Sequence, residues 1–215
     1  MPPPPFFWST YVFPLFLLLD TLSLFALLLL CYFLYRALLA SRIRLFAFFF
    51  AGFAILAAGE VARIVVLLTA VLSGTVGLRA LFLSHIAGAV ARVSETVALL
   101  FIAAGYTFEA GERARAAALP LLQRRRDWAD VFWLTSLLNV MLLTYIVINA
   151  VGVYMSSRKR TTALPAVAFF CMLLSDILLM QSLLWVDELF FITSKALYFL
   201  GLMALLMLAI EVSRA

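Results

Sequence analysis

Six apolar stretches, at about 12–35, 45–71, 79–106, 131–154, 163–184 and 188–211, leave this chain few ways to fold. Each has 22 residues or more, enough to cross a hydrocarbon layer of about 30 Å as a tilted α-helix. A soluble domain could not hide them. Of the 215 residues, 67% are hydrophobic and 13% charged, and the mean hydropathy is +1.14. Lipid removes the difficulty, because it is the solvent for the outer face of a membrane bundle. The expected fold is therefore an all-α, polytopic transmembrane helical bundle with six spans. A β-barrel is disfavoured, since the apolar runs are continuous and do not alternate.

The breaks between spans are polar. Arg36, Ser41, Arg42 and Arg44 end the first, and Ser73, Gly74, Thr75 and Gly77 make a turn after the second. Ser156, Ser157, Arg158, Lys159 and Arg160 separate the fourth from the fifth, and Asp187 and Glu188 mark a tight turn before the sixth. Residues 1–11 read as a polyproline tail with Trp8 and Tyr11 at the lipid boundary. They lack a basic start and a small-residue cleavage site, so the first span is expected to remain in the mature protein. Cys31 and Cys171 sit inside apolar runs and read as small hydrophobic filler.

One connection is long. Residues 107–130 are rich in Ala, Arg and Glu and read as an amphipathic, basic segment at the membrane surface, broken near Pro120. It is either a solvated loop that sets topology or a contact for anionic lipid through Arg124, Arg125 and Arg126, with Trp128 at the interface. With the N-terminus outside, inner loops hold eight cations: Arg36, Arg42, Arg44, Arg113, Arg115, Arg124, Arg125 and Arg126. The outer side holds five: Arg79, Arg158, Lys159, Arg160 and Arg214. This small bias favours both termini outside.

An internal repeat accounts for the weak bias. Ser41-Arg-Ile-Arg44 precedes a span carrying Glu60, and Ser157-Arg-Lys-Arg160, 116 residues on, precedes a span carrying Asp176 at the same offset. Ser84-His85 lies loosely over Ser194-Lys195. The chain then divides into a first three-span unit, 12–106, the connection 107–130, and a second unit, 131–215. Three being odd, the second unit is expected to cross upside down as an inverted repeat. Such repeats are common in transporters, but the usual broken helices are missing. Gly52, Gly59 and Gly88 have no counterparts at matching places among Gly152 and Gly201, and Pro14 and Pro165 fall at span starts.

Charges inside the spans are the candidate site. Glu60 and Arg63 are spaced i,i+3, as are Arg92 and Glu95 with the signs reversed, so each pair shares a helix face. The two helices are antiparallel neighbours, so Glu60 is expected opposite Arg92 and Arg63 opposite Glu95. An unpaired charge at this depth costs about 2.5–3.5 kcal/mol on insertion scales. Asp176 has no cation nearby in its own helix, and Arg63 or Lys195 is the expected partner. Asp20 is a further buried acid, while His85 and Lys195 lie nearer span ends, where a long side chain can snorkel.

Two functions fit these charges. The first is a structural or accessory subunit of a larger membrane complex, not an enzyme. There Glu60, Arg63, Arg92, Glu95, Asp176 and Lys195 clamp helices to each other or to partner subunits. The second is a small secondary transporter or proton- or ion-conducting protein, its path running through Glu60, Glu95, Asp176 and His85. No cofactor or metal is expected. One histidine cannot ligate haem twice, no Cys/His cluster has zinc spacing, and no phosphate-binding glycine loop occurs. Lys195 lies near a span start in a chain one span short of a retinal protein. The expected partners are lipids and other membrane subunits, not nucleic acid.

Overall fold

The computed structural model describes residues 12–41, 44–72, 78–109, 128–158, 160–185 and 188–214, with some side chains near helix ends left out. Segment 1–11, residues 110–127 with Arg124, Arg125 and Arg126, and the side chains of His85 and Trp128 lie outside the described residues.

The described residues form helices α1 (Val12–Ser41), α2 (Arg44–Leu72), α3 (Leu78–Glu109), α4 (Trp128–Ser157), α5 (Arg160–Trp185) and α6 (Glu188–Arg214). All six are long and apolar enough to span a membrane. They overrun the apolar stretches where the flanking sequence permits. Arg36-Ala-Leu-Leu-Ala continues α1 to Ser41 because nothing in it breaks a helix. Pro165 is the sixth residue of α5 and not in its first turn, so the helix forgoes one backbone hydrogen bond there. The sharp turn from α4 to α5 runs through Arg158, whose φ of 51° is left-handed and whose N–H donates to the Tyr154 carbonyl at 2.7 Å.

Each helix packs on its successor and α6 closes on α1, with α2 on α3 and α5 on α6 the most extensive faces. Between helices in lipid the attraction is close packing, and small residues permit it. A Cβ on Gly52 would stand 2.9 Å from the Ala98 carbonyl oxygen, and one on Gly201 2.8 Å from that of Ala168. Phe49, Phe53, Tyr106 and Phe169 meet edge-on or tilted at the centre, joining α2, α3 and α5.

The contacts also fix direction. Thr96 bonds Asn139 at 2.7 Å, and further along both helices Thr107 bonds Tyr145 at 2.9 Å, so α3 and α4 run parallel. Asp20 meets Lys195 at 3.3 Å, and further on Leu30 and Leu34 share a cavity wall with Leu205 and Leu208, so α1 and α6 are parallel too. An inverted relation between the units is not shown; two units of opposite sense would make these contacts antiparallel. Val12 and Arg214 lie at opposite ends of the bundle, where strict alternation of six helices would put both at one end.

A repeat of the two units is not shown, although a shift of 116 residues matches some of the described helix ends and buried positions. That shift carries both ends of α1 onto both ends of α4, and the start of α2 onto the start of α5. It also carries buried Leu27, Leu30 and Leu34 onto buried Leu143, Ile146 and Ala150, and Phe53 and Leu56 onto Phe169 and Met172.

Candidate functional site

Seven ionisable side chains from α1, α2, α3, α5 and α6 meet in one buried layer. On one side Arg63 lies 2.5 Å from Asp20 and 2.6 Å from Glu60, and Lys195 reaches Asp20 at 3.3 Å. On the other, a single nitrogen of Arg92 donates to Glu95 at 2.6 Å and to Asp176 at 2.9 Å. Glu95 is the most exposed of these side chains, at 16%.

The i,i+3 spacings place both local pairs as the sequence predicts. The partners from other helices correct the expected pairing across α2 and α3. Arg63 turns to Asp20 on α1 and Arg92 to Asp176 on α5, because these faces look into the ring where α1, α5 and α6 also contribute. Asp176 is thus paired by Arg92, not by Arg63 or Lys195. Lys195 does not snorkel to the bundle end but reaches Asp20, at 15% exposure. Asp20 proves central, at 1% exposure. Like Asp176, it is an acid with no cation nearby in its own apolar span.

A neutral polar set extends the layer. Thr96, one turn beyond Arg92, bonds Asn139, which is fully buried, as is Ser136 one turn earlier on α4. Neither carries a charge that would mark it within its apolar run. They stand at the 116-residue spacing noted in the sequence, Ser136 after Asp20 and Asn139 after Ser23. Among the described residues, Asp20 Oδ2, Asp176 Oδ2, Ser136 Oγ and Asn139 Nδ2 are buried without a hydrogen-bond partner. No group of three His, Cys, Asp or Glu among the described residues is placed to hold a metal ion. A cavity of about 30 Å³ lies away from the layer, lined by apolar residues including Leu30, Phe49, Phe53 and Leu205.

Six membrane-length helices around a buried charged layer are compatible with a multi-pass membrane protein. The chain matches no known protein family, no curated protein and no solved structure.

Proposed function

We propose that this is an integral membrane protein with a structural or accessory role, its charged layer serving as a clamp between helices. The observation that carries this reading is that all three cations of the layer lie within ion-pair distance of its acids, from five helices, at 16% exposure or less. Charges so enclosed hold helices in register, and removing one partner leaves another stranded. Native mass spectrometry of the protein extracted gently from its own membrane tests the role. A stoichiometric complex with other membrane subunits is expected, and a chain that only ever appears alone or with copies of itself overturns it.

One observation favours proton or cation conduction as a second reading. Four acids face three bases, so the fully ionised layer holds one negative charge in excess, on the Arg92 side. The hydroxyl of Thr96 has one hydrogen but two acceptors within reach, the Arg92 carbonyl at 2.9 Å and Asn139 at 2.7 Å. Turning the Asn139 amide over satisfies both contacts and leaves its oxygen as the unpartnered atom. Asp176, Ser136 and Asn139 then offer oxygens suited to a proton or a small monovalent cation. Reconstituted vesicles decide this reading: flux that vanishes in Asp176→Asn supports it, and no flux of any ion or proton removes it.

A further inference from the structure

The charge of the layer balances on one side and not on the other. Asp20 and Glu60 stand with Arg63 and Lys195, two acids with two bases. Glu95 and Asp176 both pair with Arg92, and both contacts go to the same nitrogen. Among the described residues the ionised layer therefore carries one negative charge too many, in an enclosure where charge needs an opposite partner.

Oxygens that can receive that partner lie at the same level. Asp176 gives Oδ1 to Arg92 and keeps Oδ2 buried without a hydrogen-bond partner. Because α3 and α4 are parallel with Thr96 beside Asn139, Ser136, one turn earlier on α4, stands at the level of Arg92. Helix α4 also packs directly on α5, which carries Asp176. Ser136 is 1% exposed and its hydroxyl has no partner. With its amide turned over, Asn139 donates to Thr96 and adds a third unpartnered oxygen. One carboxylate and two neutral oxygens suit a hard cation and not a metal that seeks thiolate or imidazole. Charge then decides valence. A monovalent ion makes the layer neutral, and a divalent one would leave a positive charge in excess.

We propose that Asp176, Ser136 and Asn139 bind one small monovalent cation such as sodium, a resident fourth cation of the layer. The inference rests on the clamp reading and supplies the counter-charge that the clamp lacks. The ion stays where it binds. On one side of the layer Leu30, Phe53, Ile102, Ile146, Phe169 and Leu202, one from each helix, fill the ring at 2% exposure or less. Passage that way would cross apolar packing with no oxygen to replace those left behind.

The test is binding of sodium-22 to the purified whole chain in detergent, with choline chloride holding the ionic strength. Saturable binding of one ion per chain is expected, and none in Asp176→Asn. The thermal unfolding midpoint should rise by about 2–4 °C when sodium replaces choline. Ser136→Ala should unfold no earlier than the parent in choline, yet need several times more sodium for the same rise. Glu95→Gln keeps all three oxygens but removes the excess charge, and should lose the sodium response. No bound sodium-22, or a full sodium response in Glu95→Gln, overturns the inference. So does a midpoint that moves with pH and not with sodium, which makes a proton the counter-charge. If the parent binds no sodium while Arg92→Leu still unfolds early in choline, the resident ion falls and the clamp stands.

Discussion

A single guanidinium nitrogen of Arg92 serves two carboxylates, one from its own helix and one from α5. Arg92→Leu strands both acids in an enclosed layer and should cost about 3–5 kcal/mol. The check is unfolding in mixed micelles: the variant should unfold earlier, and replacing Glu95 and Asp176 with Leu as well should restore stability, because a well-packed apolar set is often neutral or better. A single variant as stable as the parent would remove the clamp. Ser136 separates the two proposed readings. Its hydroxyl is buried without a partner, so in a clamp Ser136→Ala should be neutral or stabilising by about 1 kcal/mol in the same assay. In a cation site it should instead weaken flux. At this scale the sequence shows the local pairs, because i,i+3 spacing fixes them regardless of neighbours. It does not show that Asp176 belongs to Arg92, because that depends on which face of α3 looks inward.

Helix contacts set a second kind of expectation. A Cβ at Gly59 would fall 2.5 Å from the Ser94 Cβ, an atom fixed to the α3 backbone, so Gly59→Ala must push α2 and α3 apart. A loss of about 1–3 kcal/mol is expected from such overpacking. Gly88 has nothing within 4 Å of the same added atom, and Gly88→Ala should gain up to about 1 kcal/mol from helix propensity. Unfolding of the two variants side by side checks both signs, and equal effects would mean that α2 and α3 do not meet at Gly59. The existence and order of the helices are plain in the sequence because length and hydropathy suffice. Their ends are less so: Arg36 reads as a break and lies inside α1, since one arginine among helix formers stops nothing.

For the whole molecule, hydropathy gives six spans but not their closure into a ring. Counting spans leads to inverted halves, whereas Thr96–Asn139 and Thr107–Tyr145 show parallel neighbours. The difference arises because span counting follows the chain, while packing follows the faces that fit. The same faces hint at how the protein is built during synthesis. Asp20 of α1 finds Arg63 as soon as α2 follows it, but Arg63 also serves Glu60, so that hairpin keeps one negative charge in excess until Lys195 of α6 reaches Asp20. Arg92 carries its own acid on α3. Asp176 has no cation within reach on α5 and is matched only when α3 docks. Each half alone therefore presents charge that only the other half matches, Asp176 and Lys195 from the second and one excess acid from the first, a mark that distinguishes an orphan half from an assembled one.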